Sequence, residues 1–66
     1  MNLILNGEAR AIAGVGHIAE LVTALGLDPR KVAVERNLEI VPRSAYAETA
    51  LAEGDRIEIV HFIGGG

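Results

Sequence analysis

Only one stretch of this chain repeats its apolar residues with a helical period. Between His17 and Leu25, the residues Ile18, Leu21, Val22 and Leu25 recur three and four positions apart and fall on one face. The segments around it alternate with period two or carry turn residues. Strands leave an apolar sheet face that must be covered, and this chain offers a single helix to cover it. The expected class is therefore α+β: an open sheet of four to five strands with one main helix across one face.

The rest of the chain follows from that constraint. Leu3 and Leu5 alternate with Asn2 and Ile4, Asn6-Gly7 supplies the positive φ of a tight turn, and Glu8 to Ile12 resumes the alternation, so the chain opens with a hairpin. Gly26 followed by Leu27 marks a glycine stop to the helix. His17 is a weak cap beside serine or threonine, so a frayed helix start is expected, with Glu20 reaching back to the His17 backbone N–H. Asp28 to Lys31 reads as a turn and Val32 to Arg36 as a third strand. Asn37-Leu38 then reverses the chain, where a leucine side chain resists positive φ and predicts strain or a longer connection. Glu39 to Val41 is a brief strand stopped by Pro42, as suits a sheet edge. Ser44 to Thr49 reads as one helical turn capped by Ser44, with Tyr46 and Leu51 as apolar anchors. Glu53-Gly54-Asp55 turns into the last strand. There Ile57, Ile59 and His61 face one way, with Ile57 and Ile59 in the core, while Arg56, Glu58, Val60 and Phe62 face the other. Val60 and Phe62 are either an exposed docking patch or covered by a loop.

Size and composition narrow the function. Sixty-six residues make one domain, expected over residues 1–62 with a glycine tail over 63–66. So short a chain buries only about 60% of its unfolded surface, which disfavours a deep catalytic cleft. The net charge is -3, the six basic residues are scattered, and the aromatics are Tyr46 and Phe62 alone, so nucleic acid is not an expected partner. His17 and His61 have no metal-ligand spacing, and no metal or bound cofactor is expected. The absence of cysteine suits a reducing compartment, with the cytoplasm as the expected location. No apolar run approaches the roughly 18 residues of a membrane span, so no membrane association is expected.

The last four residues are Ile63-Gly64-Gly65-Gly66. Three successive glycines bury no side chain and lose the most entropy on ordering. Taken alone they fit an appended linker or a thin handle reaching about 13 Å, at about 3.3 Å per residue, into another protein's cleft. The stretches Val32-Ala33-Val34-Glu35-Arg36-Asn37, Ile40-Val41-Pro42-Arg43 and Glu53-Gly54-Asp55 through Gly66 resemble the ThiS family of sulfur carriers in thiamine biosynthesis. The likeness runs the length of the chain, and it implies the β-grasp fold shared with ubiquitin and the molybdopterin-synthase small subunit.

The resemblance also implies a chemistry. A partner resembling ubiquitin-activating enzymes would use ATP and magnesium to adenylate the Gly66 carboxylate. A sulfur donor protein would convert the adenylate to a thiocarboxylate, and a thiazole synthase would accept the sulfur. Gly65 and Gly66 carry that role, with Gly66 the acceptor, while Val60, Phe62, Ile63 and Gly64 are the expected partner-binding residues. On this view the chain is not an enzyme but a co-substrate of partners. The other readings are a molybdopterin-synthase counterpart, a ubiquitin-like modifier joined to lysines, and a non-catalytic interaction module with an inert tail.

Overall fold

The computed structural model describes residues 1–62; Ile63, Gly64, Gly65 and Gly66, the expected tail, lie outside the described residues. Two strands, β1 (Asn2–Leu5) and β2 (Glu8–Ala11), form the opening hairpin, and helix α1 (Ile18–Ala24) follows. Then come β3 (Val32–Arg36), β4 (Glu39–Val41) and β5 (Arg56–His61), with 3-10 turns at Pro29–Lys31 and Arg43–Ala45. The five strands form one sheet in the order β2-β1-β5-β3-β4. β1 runs parallel to β5, and every other neighbouring pair is antiparallel. A mixed sheet clasping one helix is the β-grasp arrangement.

Strand alternation decides what faces the helix. Leu3, Leu5, Val32, Val34, Val41 and Ile57 lie on one face and are buried together with Ile18, Leu21 and Val22 of α1. Full burial of each such side chain contributes roughly 1.5–3 kcal/mol. Tyr46 and Leu51, the expected anchors of the irregular crossing, are also buried, and the Tyr46 hydroxyl donates to the Val32 carbonyl at 3.4 Å. Ile57 is fully buried, while Ile59 is half-buried and packs against the core.

Two local expectations are corrected. The start of α1 is held at every position. The Ile18 N–H donates to the Thr49 carbonyl, Ala19 to Tyr46, and Glu20 to Nδ1 of His17 at 3.3 Å. Histidine thus caps one donor, and the crossing after β4 satisfies the two that a lone cap leaves unpaired. The Glu20 carboxylate accepts from the Gly16 N–H at 2.7 Å, one residue before the expected partner. The turn after β4 begins at Arg43 rather than behind Ser44, and Pro42 precedes it with no side-chain cap. Its fixed φ of -62° starts the turn without one.

The helix ends as expected. Gly26 adopts φ +74°, its N–H reaches the Thr23 carbonyl, and the Leu27 N–H reaches that of Val22, with Leu27 packed on the core. This double closure satisfies the last carbonyls and needs a residue free to take positive φ.

Candidate functional site

β5 is the strand that leads into the glycine run, and it lies in the middle of the sheet. β3 pairs with it from Val32↔His61 to Arg36↔Ile57, and the Phe62 N–H continues to the Lys31 carbonyl at 2.8 Å. On the other side β1 donates from the Ile4 N–H to the Asp55 carbonyl and from the Asn6 N–H to that of Ile57. The chain of β1 then turns away, and the Asn6 side chain takes its place. Its Oδ1 accepts the Ile59 N–H at 2.8 Å and its Nδ2 donates to the Ile59 carbonyl at 3.3 Å. Asn6 sits at φ 49°, a left-handed conformation that asparagine tolerates better than most residues. The amide group thereby acts as one further residue of β1.

The beginning of β5 is fixed from the opposite side. Asn37, also left-handed at φ 52°, accepts the Arg56 N–H on Oδ1 at 2.9 Å and donates its own N–H to the Arg56 carbonyl at 2.7 Å. Its Nδ2 donates to Asp55 Oδ1 at 3.1 Å. Asp55 Oδ2 accepts from Arg36 Nε and from the Ala52 N–H, each at 2.8 Å. Burial alone would push the Asp55 carboxyl up. The hydrogen bonds from Asn37, Ala52 and Arg36, with the Arg36 charge, outweigh it and hold the group below the usual carboxylate range.

The face of the sheet away from the helix is open. Val60 is 61% exposed and Phe62 51%, so no loop among the described residues covers them. Ile40 is 78% exposed and lies on the same face, because Ile40 pairs with Glu35 and Glu35 with Glu58. The patch therefore surrounds two directly opposed glutamates. Leu38, at the tip of the β3–β4 turn, is 71% exposed and holds φ 71°. The sequence reading omitted Ile40 as a surface residue, although its position between Glu39 and buried Val41 was the available signal. Of the residues expected to bind a partner, Val60 and Phe62 share this face, while Ile63 and Gly64, like the acceptor pair Gly65 and Gly66, lie outside the described residues.

Arg43 is tied locally, with Nε donating to the Pro29 carbonyl and Nη2 to that of Arg30. Among the described residues there is no group of three or more metal-ligating side chains. No described helix is long and apolar enough to cross a membrane.

The comparisons agree with this geometry. A thiazole synthase of Paramagnetospirillum magneticum is 56% identical over 66 residues, covering all of this chain and 20% of that protein. This chain thus spans about a fifth of the length of the thiazole synthases it matches. The sulfur carrier protein ThiS of Bacillus subtilis is 43% identical over 65 residues, covering 97% of this chain and 98% of that one. In structure, the crystal structure of the thiamine biosynthesis protein ThiS of Geobacter metallireducens superposes with a TM-score of 0.83 at 36% identity, over the whole of both chains. The ThiS family model itself matches residues 3–66. The chain belongs to the ThiS family.

Proposed function

We propose that this chain is the sulfur carrier of thiazole formation in thiamine biosynthesis, a co-substrate rather than an enzyme, working in the cytoplasm. Its reacting group on this reading is the α-carboxyl of Gly66. A free α-carboxyl has a pKa of about 3.3–3.7, so it is ionised at neutral pH. A carboxylate oxygen attacks the α-phosphorus of ATP held with magnesium by an adenylating partner, and pyrophosphate leaves. The resulting acyl adenylate carries AMP as its leaving group. A persulfide sulfur of the donor protein forms a bond to the carbonyl carbon as the bond to AMP breaks, and a thiol then attacks the donor-side sulfur of the acyl disulfide, leaving the thiocarboxylate and a disulfide between that thiol and the donor. A thiazole synthase then takes the sulfur.

The observation that carries the reading is the full-length likeness to the Bacillus subtilis carrier. Support for a synthase as acceptor comes from the 56% identity to a segment of a thiazole synthase. The fold adds a physical reason. β5 is bonded on the β3 side as far as Phe62 and on the β1 side as far as Ile59, so the body is a firm base from which a partner locates the chain end. Gly65 and Gly66 have no side chains to block a nucleophile or widen the channel that admits them. Val60, Phe62 and Ile40 give the partner an apolar surface beside that base.

The test is an intact mass after incubation with an activating enzyme, ATP, magnesium and a sulfur donor. A mass gain equal to exchanging one oxygen for sulfur, lost on addition of a thiazole synthase and its substrates, is expected. A conjugate to a lysine of another protein would identify a modifier instead. An unchanged mass with a demonstrably active partner would leave the tail inert and overturn the proposal.

A further inference from the structure

The two edges of the sheet are unlike. β4 is three residues long and is followed by Pro42, which has no N–H to donate. β2 has four residues, all exposed. The Met1 and Ile12 backbones exchange both their hydrogen bonds, at 2.9 and 3.2 Å. Facing pairs in an antiparallel ladder alternate between bonded and non-bonded, so Leu3–Arg10 and Leu5–Glu8 are the next bonded pairs. The β5 side agrees, because Ile4 and Asn6 direct their N–H groups to β5. The N–H and C=O of Ala9 and Ala11 therefore point out of the sheet, ready to bond a further strand.

Charged side chains usually protect such an edge. Here they are of opposite sign and flank Ala9, as Glu8 and Arg10. If a second β2 adds antiparallel through the outward groups, only the odd-numbered residues can form the bonded pairs. With Ala9 opposite Ala9, Glu8 lies opposite Arg10 twice, in the closer, non-bonded positions. Moving the register by one allowed step sets Glu8 against Glu8, or Arg10 against Arg10. One register is attractive and its neighbours repel.

We infer that β2 is a self-complementary edge through which two copies of this chain associate, with Ala9 on the two-fold axis. Facing residues of an antiparallel pair share a sheet face, so the axis stands perpendicular to the sheet. Both open faces, each with its Val60 and Ile40, then lie on the same side of one ten-stranded sheet. This association is independent of the sulfur chemistry. It is weak, because the contact is a few residues long.

Sedimentation equilibrium of the 66-residue chain from micromolar to millimolar concentration at low salt tests it. The mass is expected to rise from one chain towards two. Glu8→Arg or Arg10→Glu alone should weaken association about tenfold, from the reversal of two cross-strand pairs, and the double swap should restore it. Ala9→Pro should abolish it without lowering the melting temperature appreciably, because the lost N–H points away from β1. This variant also decides the matter should either charge reversal disturb the fold. The inference is overturned by the mass of a single chain at millimolar concentration, by equal association of parent and reversed variants, or by a dimer that survives Ala9→Pro.

Discussion

Asp55 is the one buried ionised side chain among the described residues, and it ties the turn before β5 to the end of β3 and the turn that follows it, 19 and 18 residues away in sequence. Its oxygens hold Arg36 at the end of β3, Asn37 in the β3–β4 turn and Ala52 before β5. Replacing it with alanine strands these donors and should cost about 2–4 kcal/mol in chemical denaturation. Its pH dependence has a definite sign. A carboxyl held below its unfolded value of about 3.9 stabilises the fold fully above that value, and the contribution is lost as pH falls from there through the folded pKa. The stability of Asp55→Asn should therefore vary less than that of the parent between roughly pH 5 and 2, as measured by urea midpoints. Leu38 is a different case, because its left-handed backbone has no compensating bond from its side chain and the side chain is exposed. An L-residue there costs about 1–2 kcal/mol, and glycine returns about 0.4–1 through unfolded-state entropy. Leu38→Gly, which creates Asn-Gly at a two-residue reversal, should stabilise by about 0.5–1 kcal/mol in the same measurement.

At the scale of elements, the strands and helix were legible because each is short and its apolar residues keep a single period. Ile18, Leu21 and Val22 mark the helix, and Gly26-Leu27 marks its end. The alternation on β5 foretold the burial of Ile57 and set Val60 and Phe62 on the opposite face, but it left open whether a loop covers them, and that face is open. What stayed hidden depends on partners far along the chain. The α1 start is not frayed, because Tyr46 and Thr49 supply carbonyls to a helix whose local cap is only a histidine. Asn6 was legible as a turn residue but not as the side chain that continues the pairing of β1 along β5. The open face was half legible, since Ile40 joins Val60 only when β4 and β5 both flank β3. This face yields a prediction for the element. Val60→Lys changes an exposed strand position and should move stability by less than about 1 kcal/mol. If the apolar face docks the adenylating partner, the same change should raise the KM for activation about tenfold at unchanged kcat, read by pyrophosphate release.

For the molecule as a whole, the division of labour between body and chain end is set by where the core lies. Every buried apolar side chain among the described residues falls between Leu3 and Ile57, and the sheet is knitted by backbone bonds that reach Phe62. Gly65 and Gly66 come after all of these. The core and the β5 pairing of the described residues are complete by Phe62, so on the proposed reading the melting temperature without Gly65 and Gly66 should stay within about 2 °C of the parent, the shift of well under 1 kcal/mol for a domain this small. Sulfur loading on the proposed reading should fall to background, because the carboxyl then presented belongs to Gly64 and sits two residues short of the reacting position. The pairing of those two measurements is what makes the experiment informative. Lost loading with an unchanged melting temperature assigns the glycines to chemistry performed in a partner. A large fall in melting temperature would mean that they stabilise the body, and any loss of loading would then follow from unfolding. Loading that persists after the deletion would place the sulfur elsewhere on the chain and refute Gly66 as its carrier.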